Sequence, residues 1–519
     1  MPAKDKNREV TVPSAEPVAP TSPPGSLTQI LWSAAVSFLV LLFFFSPSWS
    51  IFSIWARVPE FTQWIEVRRA ASLLAQLSHP FAPIADPMHR ILQWRLLFPL
   101  LGHGLHLPGS LLLALPFVGC LAVIATIIGL ARQEGCSAWT AWCGATILSA
   151  TGWFFVSTGW LGYFDSWLAL SLLAVSHARS KSIVWTACLL APWIDERFII
   201  ALPLALSVRL LRAPSPAGDA NPLSGCAALK QAGVPIILAG LYAIVRIALA
   251  GHGGSQGILE YLSAQQTLQI GLGRHLLGLW ESLRVAWVFV FAGIFVLLRP
   301  ATLQSKAGWG ALFFITALTG LLIANDLSRS MIVLLPLAAE GLLRLPTLLA
   351  RPGKAMAALL VIGLLVPAQH VVTNFTMPIA TLPKVLRDWN SIEQLASAKW
   401  IELAARQFSG GNIGQADELL DFALRLDARN GTVYDTKGRF AARLQDWETA
   451  EKNFAEACRL NPSNPSYWVD RAGIALQLRE EAIFSASITE AKRLTPPGSA
   501  LARQIEVFEA AAAKRFRDQ

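Results

Sequence analysis

Over the first 373 residues apolar positions come in long runs broken by short polar stretches, and afterwards they recur at helical spacing. The run at 27–45 is long enough to cross a bilayer, which takes roughly 20 residues of helix. Further runs lie at 108–131, 138–157, 161–177, 182–194, 198–211, 232–250, 282–298, 307–324, 330–345 and 355–373. Together they predict about eleven spans by hydropathy. The pieces 182–194 and 198–211 are each short for a regular span, and Asp195, Glu196 and Arg197 stand between them. They predict either a hairpin shielded by protein or one kinked span. Bases at both ends favour the hairpin.

Beyond residue 373 the pattern changes to that of a soluble helical domain. A 34-residue period starts at Ser397, Gly431 and Pro465. Its fourth position is Trp400, Tyr434 and Trp468, and its eighth is small, Ala404, Gly438 and Ala472. Its twentieth is Ala416, Ala450 and Phe484, and its twenty-seventh is Ala423, Ala457 and Ala491. Small residues in phase let paired helices approach closely, and the aromatics fill the joints. This series resembles the tetratricopeptide repeat. The predicted fold class is therefore all-α, a polytopic bundle of membrane helices followed by a helical solenoid. The expected organisation is a disordered tail at 1–26, a membrane domain at 27–373 with a first outer loop at 47–107, and a linker at 374–396. Three repeats follow at 397–498, and a capping helix at 499–519.

Charge orients the spans. Arg132, Arg179, Arg209, Arg212, Lys230, Arg299, Arg351 and Lys354 fall on one predicted side, with Asp86, Asp165, Asp195, Glu196 and Asp326 on the other. Basic loops face the cytoplasm, and Lys4, Lys6 and Arg8 put the N-terminus there. The repeats and the first loop then share the outer side, as in a bacterial inner-membrane protein. Composition agrees, with 15% charged residues and a mean hydropathy of +0.46, where a soluble chain carries about a quarter charged. The net charge of +9 sits mostly at the ends of apolar runs, which argues against nucleic-acid binding. Six cysteines show no metal-ligand spacing.

The polar stretch 60–99 concentrates the candidate chemistry. Glu66 lies on a predicted amphipathic helix with Trp64, Val67, Ala71 and Leu74 on one face and Thr62, Glu66 and Arg69 on the other. It can act as a general base or pair with a neighbouring arginine. Asp86 precedes Pro87, a helix start, and His89 and Arg90 follow within a turn. Arg95 suits a phosphate. Asp165, Asp195, Glu196 and Arg197, and Asp326 with Arg329, mark the outer ends of other apolar runs. Ionisable groups at membrane depth often line a cavity.

The first loop resembles that of the GT-C polytopic glycosyltransferases. It carries Ile65-Glu66-Val67-Arg68-Arg69-Ala70 and, later, Phe98-Pro99-Leu100-Leu101 in the family's order. The resemblance implies sugar transfer from a polyprenyl-phosphate-linked donor to an acceptor at the outer membrane face. Glu66, or Asp86, would be the catalytic acid that takes the acceptor proton. Arg69, Arg90, Arg95 and Arg329 would hold the donor phosphate, with His89, Asp165, Asp195, Glu196, Arg197 and Asp326 lining the cavity. The loop has no Asp-x-Asp or adjacent Asp-Glu pair, so no divalent metal is indicated by a motif and the cofactor stays open. The repeats would bind a protein or glycan acceptor or a partner. A polysaccharide polymerase or ligase on a similar scaffold, and a non-catalytic anchored scaffold for envelope assembly, are the alternatives.

Overall fold

The computed structural model describes residues 25–45, 49–58, 65–84, 89–212, 225–250, 271–299, 303–323, 326–373 and 376–517. Helices account for most of these, with one two-stranded hairpin among the described residues. Among the described residues five stretches are long and apolar enough to cross a membrane: Leu27–Phe44, Gly109–Gln133, Gln231–Ala248, Leu272–Leu298 and Leu327–Leu348. Lys306–Leu322 and Pro352–Leu365 are shorter apolar helices. The chain divides into two compact units, residues 1–48 with 68–383, and residues 49–67 with 384–519.

In the first unit several runs resolve into shorter helices than hydropathy predicts. The run at 138–157 is two helices, Ala138–Ser149 and Gly152–Gly159. They part where Thr151 Oγ1 donates to the Leu148 carbonyl and where Gly152 admits the Ser328 carbonyl, which a Cβ would meet at 1.8 Å. The run at 161–177 becomes helical only at Asp165, after a turn in which Gly162 takes φ +75°. That backbone region is open to glycine and strained for other residues.

The stretch 182–211 is a hairpin. Helix Lys181–Leu190 leads through the 3-10 turn Ala191–Trp193 into helix Arg197–Arg212. Near the end of the second helix Arg209 donates to the Ala178 carbonyl, just ahead of the first, at 2.6 Å. The helices therefore return antiparallel, and a single kinked span is excluded.

The run at 282–298 reaches back to Leu272 but breaks at Arg284, which takes φ +50°. That guanidinium is buried 4.7 Å from the Phe45 ring centroid and donates to the Val366 carbonyl. The run at 355–373 is helical only through Leu365, so its last residues are not a span. Gln369–Val371 (β1) instead pairs antiparallel with Thr376–Pro378 (β2). Pro367 offers no backbone donor to a continuing helix, and the Gln369 amide is taken by Glu281 Oε2 at 3.1 Å. Helices Trp287–Leu298 and Leu335–Leu348 cross at two glycines. A Cβ on Gly341 would lie 1.7 Å from the Phe289 carbonyl, and one on Gly293 2.2 Å from that of Leu337.

The second unit keeps the period of the sequence. Helices start at Gly431 and Pro465, and their partners at Ile413, Trp447 and Glu481, each 34 residues apart. Asn430 and Asn464 cap equivalent helices by accepting from Thr432 N and Ser466 N, the N-cap role that Asn favours. Ala404, Ala416, Ala423, Ala450, Ala457, Ala472 and Ala491 are fully buried, and a Cβ on Gly438 would meet the Phe454 ring at 2.9 Å. The stretch expected as a linker, 374–396, is helical from Leu382. Both ends of the array are covered. Ile505 and Ala512 of helix Ala500–Arg515 close over Val469, Ala472 and Ile488. At the other end Ile54 and Val58 join Ala396, Trp400, Leu420 and Leu426 in one core. Helix Trp49–Arg57, which directly follows the first apolar helix in the chain, thus belongs to this unit.

Candidate functional site

Asp165 opens helix Asp165–His177 and is fully buried. Its carboxylate accepts from Arg197 Nη2 at 2.7 Å, from Arg329 Nε at 3.0 Å and from Arg329 Nη2. Arg197 also forks onto Asp195, with Nε–Oδ1 at 2.9 Å and Nη2–Oδ2 at 2.8 Å. Arg95 joins Asp195 at 3.0 Å and Glu196 at 2.8 and 3.1 Å. On the far side Arg329 Nε lies 3.8 Å from Asp326 Oδ2. Asp326 accepts from Ser328 Oγ at 2.8 Å and sits 3.4 Å from His370 Nε2. Residues that sequence reasoning found in separate loops are thus one buried network.

The network joins four carboxylates to three arginines. Arg69 brings a fourth cation but touches none of the acids. Its Nε donates to the Gly162 carbonyl at 3.0 Å, and its guanidinium carbon stands 3.8 Å from the Tyr163 ring centroid. Arg329 lies over the same ring at 4.5 Å. Burial, the largest influence, lowers Arg69 to about 10, with Arg95 and Arg329 pushing the same way and Tyr163 and Asp165 opposing. Burial by itself would raise Asp195, but Arg197 and Arg95 outweigh it and hold that carboxyl well below its ordinary range. Removing one partner from such a buried set costs about 3–5 kcal/mol, because the other charge is left uncompensated.

Helix Ile65–Ser78 differs from its expected orientation. Arg69, placed on a polar face by the sequence, is 5% exposed, and Ala70, Leu73 and Gln76 are buried with it. Gln76 Nε2 donates to the Leu92 carbonyl at 3.0 Å. The carbonyl of Gly162 and the ring of Tyr163 supply what an arginine needs to leave water. Glu66 lies in the first turn of this helix, but its side chain, that of Arg90 and the whole of Asp86 lie outside the described residues. His89 is buried. Arg95 and Arg329, expected to grip a phosphate, have their forks on carboxylates.

Sequence reasoning missed two features. His370, on β1, shares a hydrogen bond at Nδ1 with Ser328 Oγ at 3.0 Å and packs at a tilt against Trp160 with centroids 4.3 Å apart. Burial lowers its basicity, with Asp326 opposing. The second feature is another charge cluster, centred on the buried Glu340 and His177, at the far ends of helices Asp165–His177 and Arg197–Arg212. Arg212 donates to Glu340 at 2.5 Å and Glu134 at 2.9 Å, Arg344 Nε donates to Glu340 at 3.1 Å, and His177 Nε2 lies 3.5 Å from Glu340. The available signal was Glu340 inside an apolar run with Arg344 one turn later. Asp165 and His177 bound one helix, so the two clusters lie about 18 Å apart at 1.5 Å per residue.

Among the described residues no three His, Cys, Asp or Glu side chains converge to hold a metal ion. What the first cluster offers is a rigid set of fixed charges, with Arg69 the member not matched to an acid.

No protein-family model matches this chain. No curated protein matches it either.

Proposed function

We propose that this protein is a GT-C-like membrane glycosyltransferase that moves a sugar from a polyprenyl-phosphate-linked donor to an acceptor on the outer face of a bacterial inner membrane. The observation that carries the reading is Arg69. It is a buried cation with no carboxylate of its own among the described residues, three residues beyond Glu66 on helix Ile65–Ser78, beside a network that fixes Arg95, Arg197 and Arg329. An anionic leaving group next to it would give that guanidinium a direct counter-ion, and a guanidinium suits phosphate oxygens. Glu66, or Asp86, takes the proton of the acceptor hydroxyl as it attacks the anomeric carbon. Arg95, Arg197 and Arg329 hold the frame.

The helical array is proposed to be of the tetratricopeptide type and to bind the acceptor or an assembly partner. Helix Trp49–Arg57 follows the first apolar helix immediately and belongs to the repeat unit.

A second reading has its own observation. Every carboxylate in the cluster is already engaged by an arginine, a histidine or a hydroxyl, as a non-catalytic membrane anchor for a partner-binding array would need. Donor turnover by purified protein in nanodiscs separates the two. With radiolabelled polyprenyl-phosphate sugars, the enzyme reading expects release of lipid phosphate that Glu66→Gln or Asp86→Asn abolishes. No turnover of any donor, with normal folding, removes it in favour of the anchor.

A further inference from the structure

Near the end of helix Gly225–Ala250 stands an arginine that neither charge cluster uses. Arg246 is half-buried. Its Nη1 donates to the Tyr242 hydroxyl at 3.2 Å, and its guanidinium carbon lies 5.7 Å from the Trp94 ring centroid and 5.9 Å from that of Tyr242. Tyr242 is itself buried and meets Trp193 edge-on, with centroids 4.8 Å apart. Two rings therefore flank this cation, Trp94 from the 3-10 turn Arg90–Trp94 and Tyr242 from its own helix, and Trp193 from the turn of the 182–211 hairpin backs Tyr242.

The neighbouring arginine shows what is missing. Arg95, one residue past Trp94, has its donors on Asp195 and Glu196. Arg246 has no carboxylate within 4.0 Å among the described residues. A guanidinium carries five N–H donors, and one goes to Tyr242.

The setting narrows the ligand. The segment Gln231–Ala248 is among the five able to cross a membrane, and it is the one least covered by protein, at 17% buried. Ile236, Ile237, Ile244 and Ile247 are exposed along it, which in a bilayer means contact with lipid chains. Arg246 lies two residues from the end of that segment, about 3 Å along the axis, where long basic side chains reach the headgroup level. Trp and Tyr gather at the same depth. The anion found there is a lipid phosphate, and the guanidinium fork fits its oxygens.

We propose that Arg246, backed by Trp94 and Tyr242, is a binding site for the phosphate headgroup of a membrane lipid. The site stands on this corner alone and holds whether or not the protein transfers a sugar.

The test is native mass spectrometry of the full chain released from detergent, titrated with phosphatidylglycerol, farnesyl phosphate and inorganic phosphate. Arg246→Ala is expected to weaken binding of the lipid phosphates at least tenfold, Arg246→Lys to keep part of it, and Trp94→Leu to weaken it with the charge intact. Tighter binding of farnesyl phosphate than of phosphatidylglycerol, or the reverse, names the lipid class and supports the site. Wild-type affinity of Arg246→Ala for both lipids overturns it. Inorganic phosphate binding as tightly as the lipids overturns the lipid assignment. Should Arg246→Ala fail to fold, unchanged lipid binding by Trp94→Leu is the overturning result.

Discussion

The carboxylate of Asp165 accepts from Arg329 Nε at 3.0 Å although 164 residues separate the two in the chain. The bond ties the start of one helix to the 3-10 turn Leu327–Leu334 and makes Asp165 the centre of the first cluster. Asp165→Asn would leave Arg197 and Arg329 short of a buried charge. A loss of about 3–5 kcal/mol is expected, read as a lowered melting temperature in detergent. A change within about 0.5 kcal/mol would contradict the buried network.

The two clusters should act independently. They lie about 18 Å apart along helix Asp165–His177 and share no side chain. The double variant Asp165→Asn with Glu340→Gln is expected to lose the sum of the single losses to within about 0.5 kcal/mol. The same measurement on Asp165→Asn with Arg329→Ala should fall well short of additivity, because those two residues are partners.

At the crossing of helices Trp287–Leu298 and Leu335–Leu348, even one methyl has no room. The Phe289 carbonyl occupies the place of a Gly341 Cβ. Gly341→Ala is expected to destabilise the first unit by about 1–3 kcal/mol, while Ala at Gly308, with open space around it, should change little. Equal melting temperatures for the two variants would count against the close crossing.

Ile54 reaches the repeat unit from the other end of the sequence and is fully buried there with Trp400 and Leu420. Ile54→Ala should cost the repeat unit about 2–5 kcal/mol and expose residues 384–519 to limited proteolysis in the intact chain. An unaltered cleavage pattern would show that helix Trp49–Arg57 is not part of that core.

Asp435 gives the repeat unit a pH dependence. It is buried, pairs with Arg439 Nε at 3.0 Å, and shares that arginine with Asp470, 2.7 Å from Nη2. Burial, the largest influence, pushes it up to about 7 from an ordinary 3.8, with Arg439 opposing and Asp470 adding to the rise. The folded state holds this proton more tightly than the unfolded chain. The stability it lends is therefore full below about pH 4 and lost as pH rises through about 7. Asp435→Asn is expected to raise stability at about pH 8 by on the order of 1–3 kcal/mol and to do little at about pH 4. Denaturation midpoints of the repeat unit at the two pH values check this. A gain of equal size at both would contradict it.

Much of this was legible in the chain. The change from long apolar runs to a 34-residue period marks where helical character alters, and the alanines of that period are the buried ones, because helix packing reads small side chains directly. Asp165, Asp195, Glu196, Arg197, Asp326 and Arg329 stood out as charges at the ends of apolar runs, since charge there is costly without a partner. The antiparallel return of 182–211 was favoured by its flanking bases. The hidden parts depend on contacts between distant segments. Hydropathy has no term for the Ser328 carbonyl that parts the run at 138–157, nor for Glu281 and Arg284, which hold the segment after Leu365 out of a helix.

Sequence alone determined the helical class, the apolar runs, the repeat period and which charged residues had to find partners, because propensity, hydrophobicity and spacing are local properties. Tertiary structure decided the pairing. It put Arg95 and Arg329 onto carboxylates, left Arg69 and Arg246 against aromatic rings, and drew helix Trp49–Arg57 into the repeat unit. A buried charge is stabilised only by the atoms that meet it in space, and those come from segments far apart in the chain.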